Sequence, residues 1–391
     1  MRRSISIFGA TGSVGRQTVA LLRHQGGAER YDVRALTGHS NVAELAEAAI
    51  TLRAELAVVA DPARYGELKE ALAGNGIAAA AGPAALIEAA ERGADWTMAA
   101  IVGVAGLAPT LAAARAGGIL ALANKESLVS AGALLAATVR AAGGRILPVD
   151  SEHSAIFQAL SGHGAPRRIV LTASGGPFRT WSRAEMAAVT PERAVCHPNW
   201  RMGAKISVDS ASMFNKALEM IEAREFFGVA PGQVEVLVHP QSIVHSLVEF
   251  ADGAMLAHLG PTDMCGPIGY ALNWPERRAL PMAPLDLVRI GMLSFEAPDE
   301  ARFPALRLAR AAMEAGGLMG AVMNGAKEAA QEAFLDGRAG FLDMGALVEA
   351  AMARLGHWAA VTSLEAGLEA VLAADEEARA AVRERLAVGV N

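Results

Sequence analysis

The first 150 residues alternate short apolar runs with alanine-rich stretches of helical period. Residues 4–8, 32–36, 56–59, 96–100, 119–123 and 144–149 read as strands. Between them apolar positions recur three and four residues apart, as in 13–24 and 42–52, which gives a helix one buried stripe. Such alternation predicts a parallel sheet with helices on both faces. After residue 150 the pattern changes. Residues 168–172, 234–238, 242–250 and 254–259 read as further strands, separated by a loop rich in Pro, His, Trp and Met. Prolines punctuate 278–303. From 304 onward an Ala/Leu period with glycine breaks predicts packed helices. The expected class is α/β: a doubly wound region over 1–150, an α+β region over 151–277, a connector over 278–303 and a C-terminal α-helical bundle over 304–391.

The segment Gly9-Ala10-Thr11-Gly12-Ser13-Val14-Gly15 follows the first strand and opens a helix. Glycines there permit a tight turn and close backbone approach, and a helix N-terminus offers unpaired N–H groups to a pyrophosphate. The first region is therefore expected to be a Rossmann-like dinucleotide-binding domain. The second strand runs out into Gly38-His39-Ser40-Asn41 with no acid for a ribose 2′-hydroxyl, which favours NADP over NAD. Tyr65 and Lys69 have the Tyr-x-x-x-Lys spacing of short-chain dehydrogenases, but they fall on an early crossover helix and read as a surface pair.

Four consecutive positions, Asp150-Ser151-Glu152-His153, carry two carboxylates, a hydroxyl and an imidazole after an apolar run. On extended chain Asp150 and Glu152 face the same side and invite a hard cation such as Mg2+ or Mn2+. The competing reading is a polar loop whose Asp caps a helix over 154–160. Ser174-Gly175-Gly176-Pro177-Phe178 is a small-residue turn that can present N–H groups to an anion, or an ordinary turn. In 197–203, Pro198 and Gly203 break any period, so His197, Trp200 and Met202 read as a lid, with a buried loop anchor as the alternative. Further on, Asn215 and Glu219 are i, i+4 and Lys216 and Glu219 are i, i+3. With Ser210 they are candidates for holding a phosphate, with Glu219 turned to a cation. The alternative is a solvated Lys–Glu pair. His239-Pro240-Gln241-Ser242 reads as a structural turn.

Composition narrows the classes. Hydrophobic residues make up 52% and charged residues 19%, which points to a globular chain. The 35 Lys+Arg against 41 Asp+Glu leave a net charge of −6, which argues against nucleic-acid binding by phosphate neutralisation. No uncharged apolar run is long enough to span a bilayer. The N-terminal apolar stretch runs straight into glycines and reads as a strand, not a signal. Cys196 and Cys265 make no disulfide framework, which fits a reduced, cytoplasmic setting.

Together these segments resemble the 1-deoxy-D-xylulose 5-phosphate reductoisomerases. The resemblance rests on Gly9 to Gly15, Leu-Ala-Asn-Lys-Glu-Ser-Leu-Val at 122–129, 148–153, 174–178, the block 197–223 and 239–242. It implies a homodimeric enzyme that uses NADPH and a divalent metal cation (Mg2+, Mn2+ or Co2+). Such enzymes convert 1-deoxy-D-xylulose 5-phosphate to 2-C-methyl-D-erythritol 4-phosphate in non-mevalonate isoprenoid synthesis. It implies metal ligation by Asp150, Glu152 and Glu219. Ser174, Ser210, Asn215 and Lys216 would hold the substrate phosphate near His197. Lys125, Ser151 and His153 would face the substrate, with Trp200 and Met202 as lid. Thr11, Gly12, Ser13, Val14, Gly38, Ser40, Asn41, Asn124, Glu126 and Gly203 would serve the cofactor. The chain departs from the family pattern at Ser40, Cys265 and Lys327. Two rival readings are a simpler NADP-dependent sugar-phosphate dehydrogenase and a non-catalytic NADP sensor; neither needs three carboxylates.

Overall fold

The computed structural model describes residues 2–200 and 203–389. The chain forms two compact units. The first comprises Met1–Ser127, Leu135–Ser154 and Asp263–Ala283; the second comprises Leu128–Leu134, Ala155–Thr262 and Pro284–Asn391. Residues 263–283 return to the first unit, and the second sheet shares its unit with the C-terminal helices.

The first unit holds a seven-stranded sheet built from β1 (Arg3–Phe8), β2 (Tyr31–Gly38), β3 (Leu56–Val59), β4 (Ala78–Ala81), β5 (Trp96–Ala99), β6 (Ile119–Leu122) and β7 (Arg145–Pro148). The order is β4-β3-β2-β1-β5-β6-β7, and every pairing is parallel. Strands β3 and β5 are buried at every position, as expected when helices cover both faces. The order reverses between β1 and β5, so the crevice beyond their carboxyl ends is the topological switch point where such sheets bind ligands. The helix Cys265–Asn273 belongs here: the buried Trp96 donates from Nε1 to the Ala271 carbonyl at 3.0 Å. Strand β4 escapes the sequence reading because Ala78-Ala79-Ala80-Ala81 has no β-branched residue. Pairing with Leu56–Val59 of β3 makes it a strand, a tertiary override of local propensity.

The second unit holds β8 (Arg168–Ala173), β9 (Val234–Val238), β10 (Val244–Glu249) and β11 (Met255–Leu259) in the order β11-β10-β8-β9. The β8–β9 pair is parallel and the other two are antiparallel. Arg168 ties three strands, reaching Glu235 and Glu249 at 2.6 Å each. Among the C-terminal helices, Met319–Leu335 is buried along almost its whole length. Small residues let neighbours come close: a methyl on Gly325 would lie 2.4 Å from the Asp375 carbonyl oxygen. A buried cation inside the helices is paired twice: Arg379 reaches Asp375 and Glu328 at 2.6 Å each. Burial alone would raise the Glu328 pKa, but the nearby Lys327 and Arg379 cations hold it below the usual value.

Candidate active-site residues

In the first unit the glycine turn is forced by packing. Gly9 adopts φ +91, and a methyl on it would lie 2.5 Å from the Ala100 carbonyl oxygen. A methyl on Gly15 would lie 2.1 Å from the Gly9 carbonyl oxygen, so the helix can start only where no side chain intervenes. Thr37 fixes the turn: its Oγ1 accepts from Gly9 N–H at 3.0 Å and its carbonyl from Ala10 N–H at 2.6 Å. No side chain caps the helix Ser13–His24, which leaves its first-turn amides to a phosphate. Gly15→Ala is expected to cost about 2 kcal/mol of stability by overpacking and to weaken dinucleotide binding at least about tenfold. Undiminished affinity in a fluorescence titration would contradict this account of the turn.

Both asparagines expected at the cofactor are helix caps. Asn41 accepts from Glu44 N–H at 3.2 Å. The buried Asn124 accepts from Ser127 N–H at 3.0 Å and donates to the Ile101 and Gly103 carbonyls and to Glu126. Their side chains are therefore engaged in shaping the βα turns. His39 and Ser40 are exposed. Tyr65 and Lys69 are exposed as well, and the dehydrogenase-like spacing is a surface pair.

Asp150 and Glu152 do not lie on extended chain. Strand β7 stops at Pro148 and the helix Ser151–Ala159 begins at once, three residues earlier than the capped helix considered from the sequence. Asp150 stands at the helix entrance, accepting from Ser151 N–H at 2.9 Å and pairing with Lys125 Nζ at 2.9 Å. Glu152 is in the first turn, where the helix dipole favours a carboxylate, and accepts from Ser151 Oγ. His153 is fully buried.

In the second unit β8 leads into the Ser174 turn, where Gly175 and Gly176 take φ +83 and +69. Ser174 Oγ accepts from Gly176 N–H at 3.1 Å and lies 3.0 Å from His197 Nε2. His197 Nδ1 accepts from the Asn199 and Trp200 N–H groups at 3.1 and 2.9 Å. That fixes the tautomer: Nε2 carries the proton and donates to Ser174. Burial lowers the His197 pKa to about 4, so the ring is neutral at physiological pH. Asn199 Nδ2 donates to the Pro240 carbonyl at 2.7 Å and to Ser242 Oγ at 3.1 Å, tethering the loop expected to be a lid. Met202 lies outside the described residues; Gly203 starts the helix Ala204–Ala211.

Ser210 lies in the last turn of that helix, and Met213 at φ +65 turns the chain into the helix Phe214–Phe227. There Glu219 accepts from Asn215 Nδ2 and pairs with Lys216 Nζ. The sequence reading foresaw both spacings. The solvated-pair alternative fails, because Lys216 is 4% and Glu219 0% exposed. The 239–242 turn is structural: buried His239 donates from Nδ1 to the Ser294 carbonyl at 2.8 Å, accepts from Ile243 N–H at 3.2 Å and stacks on Phe295. Two buried residues lacked any signal in the sequence, Asp209 and its partner Gln331. A lone Asp in a polar helix start and a lone Gln in an Ala-rich helix have no local pattern that pairs them.

Three family models cover most of the chain: 1-deoxy-D-xylulose 5-phosphate reductoisomerase over residues 5–132, its C-terminal domain over 146–227, and the DXP reductoisomerase C-terminal domain over 259–381. The 1-deoxy-D-xylulose 5-phosphate reductoisomerase of Sinorhizobium medicae (strain WSM419) is 60% identical over 383 residues, 97% of each chain. That of Ruegeria pomeroyi (strain ATCC 700808 / DSM 15171 / DSS-3) is 60% identical over 354 residues, 90% of this chain and 89% of its own. The Zymomonas mobilis reductoisomerase in complex with NADPH superposes with a TM-score of 0.91 at 52% identity, covering 99% of both chains. A DOX-P reductoisomerase in complex with NADPH, fosmidomycin and magnesium gives 0.93 at 40% identity, covering 99% of this chain and 98% of its own. The chain belongs to the 1-deoxy-D-xylulose 5-phosphate reductoisomerase family.

Proposed function

We propose that this chain catalyses the NADPH- and divalent-metal-dependent rearrangement and reduction of 1-deoxy-D-xylulose 5-phosphate to 2-C-methyl-D-erythritol 4-phosphate. The observation that carries it is full-length kinship at 60% identity with named reductoisomerases. The solved relatives hold NADPH, fosmidomycin and magnesium. The alternatives, a simpler sugar-phosphate dehydrogenase or an NADP sensor, have no such support.

Thr11, Gly12, Ser13 and Val14 would line a dinucleotide pyrophosphate at the uncapped helix start, with the Gly12 N–H itself held by the Gly9 carbonyl at 3.0 Å. Gly38, Ser40 and Asn41 flank the adenosine end; the absence of an acid at the end of β2 favours NADPH over NADH. Asn124, Glu126 and Gly203 would serve the cofactor by the family resemblance. Asp150, Glu152 and Glu219 take the cation. Three carboxylates are an all-oxygen donor set, the kind that Mg2+, Mn2+ and Co2+ accept. Held there, the cation would supply Lewis acidity to the substrate, and NADPH would supply the hydride for the reduction.

The chain's own groups do the rest. Lys216, Asn215, Ser210 and Ser174 hold the phosphate, with Lys216 as the fixed positive charge. Neutral His197 keeps a proton on Nε2, so it donates to Ser174 Oγ or to a phosphate oxygen. Lys125 compensates Asp150 and, with Ser151 and His153, faces the substrate oxygens. Trp200 and Met202 exclude water from the reacting carbons. Binding the phosphate away from the chemistry positions the substrate and favours loop closure. The test is NADPH oxidation with the deoxyxylulose phosphate. It should require a divalent cation, stop with chelator and give a lower kcat/KM with NADH. Cation-independent turnover would reject the reading.

The enzyme works as a homodimer in the cytoplasm. Strand β11 is a sheet edge that exposes Met255, Leu256 and Leu259, and Leu287, Val288 and Met292 are exposed nearby in sequence. An apolar edge of this kind calls for a partner. Both cysteines are free thiols, as a reducing compartment allows, and no helix of the described residues is long and apolar enough to cross a membrane. Light scattering should return the dimer mass; a monomer mass at assay concentration would contradict the dimer.

A further inference from the structure

The helix Ala204–Ala211 carries Ser210 in its last turn and is gripped by the helix Met319–Leu335. Asp209 Oδ2 meets Lys327 Nζ at 3.0 Å, and Asp209 Oδ1 accepts from Gln331 Nε2 at 2.7 Å. Gln331 Nε2 also donates to the Lys205 carbonyl at 2.6 Å. All three side chains are buried: Asp209 is 6%, Lys327 3% and Gln331 1% exposed. Outside them Lys205 pairs with Glu332 at 2.8 Å on the surface. Lys327 and Gln331 lie one turn apart, so a single face of the C-terminal helix addresses both Asp209 and the Lys205 carbonyl of the short helix.

The opposite side of the short helix supports the Ser174 turn. A methyl on Gly176 would lie 2.9 Å from the Ser210 carbonyl oxygen and 3.0 Å from Ala211 Cα. Any slip of the short helix along Met319–Leu335 therefore moves Ser210 and presses on the backbone beside Ser174. A buried ion pair adds little net stability compared with apolar residues of similar volume, yet it fixes one register, because any other leaves charges unpaired.

We infer that Lys327 and Gln331 are positioning residues for substrate phosphate binding, acting through Asp209 to hold Ser210 and the Ser174 turn in register. This rests on the reading that Ser174, Ser210, Asn215 and Lys216 take the phosphate. The C-terminal helices thus set the geometry of the phosphate pocket.

The test uses the full-length enzyme with NADPH, Mg2+ and the deoxyxylulose phosphate. Lys327→Met should raise the substrate KM about tenfold, the scale on which supporting networks tune a site. The KM for NADPH should stay within about twofold. Lys327→Arg, which keeps the charge, should recover at least half of the loss on a logarithmic scale. The pair Asp209→Leu with Lys327→Met removes both charges, so it should melt near the parent temperature yet keep the raised substrate KM. If the single variant does not fold, this pair carries the test. A parental substrate KM in the pair, or a KM that recovers whenever the melting temperature does, overturns the inference and makes the bridge purely structural. Ser210→Ala separates the underlying reading. An unchanged KM in that variant means that the phosphate assignment has failed; a raised KM there with a parental KM in the Lys327 variants means that only the positioning role has failed.

Discussion

Glu219→Gln is expected to lower turnover about 1,000-fold, equivalent to about 4 kcal/mol of lost transition-state stabilisation. Glu219 is fully buried in the helix Phe214–Phe227 and receives Asn215 and Lys216. Glutamine fills the same space, so the fold loses little volume. It removes the negative charge and offers one acceptor where the carboxylate offers two. Its amide nitrogen brings a donor toward groups that already donate. Cation affinity depends on the number of charged ligands, so the apparent Mg2+ and Mn2+ constants should rise steeply while the NADPH constant holds. Metal titrations of turnover, with a melting curve as control, check this. Near-parental turnover in excess chelator would sink the metal assignment.

Lys216→Met is expected to act on stability and on substrate binding together. Lys216 is 4% exposed and paired with Glu219. Removing one member of a buried pair costs about 3–5 kcal/mol, because the remaining charge loses its compensation. On the proposed phosphate assignment the substrate also loses a cation, so its KM should rise about 100-fold, a cost of about 3 kcal/mol. Lys216→Arg is not a neutral control, since a planar guanidinium needs a different cavity. A variant that melts lower but keeps the parental KM would show that Lys216 serves the fold alone.

The β1 turn was legible because strand, glycines and helix start are contiguous in sequence. The i, i+3 and i, i+4 pairs at Glu219 were legible because helix geometry converts spacing into contact. Their burial was not, since a Lys–Glu pair looks the same in sequence whether wet or dry. Of the two readings of the Asp150–Glu152 segment, the helix entrance is the one that holds, though its helix starts earlier: Pro148 ends β7 and Ser151 opens the helix. Strand β4 carries only alanines, and its neighbour β3 decides it. The Asp209–Lys327 bridge spans 118 residues of sequence, a separation that no local period encodes. Asn199 likewise holds the 239–242 turn by contacts that no motif announces.

The central claim is that one enzyme both rearranges and reduces its substrate. The most direct measurement is carbon NMR of the product formed from 13C-labelled 1-deoxy-D-xylulose 5-phosphate with NADPH and Mg2+, alongside the amount of NADPH consumed. The account predicts a branched tetrol phosphate, with the labelled methyl on a quaternary carbon and one NADPH oxidised per product. An unbranched deoxypentitol phosphate formed at the same NADPH cost would contradict it, and would make the chain a simple sugar-phosphate dehydrogenase.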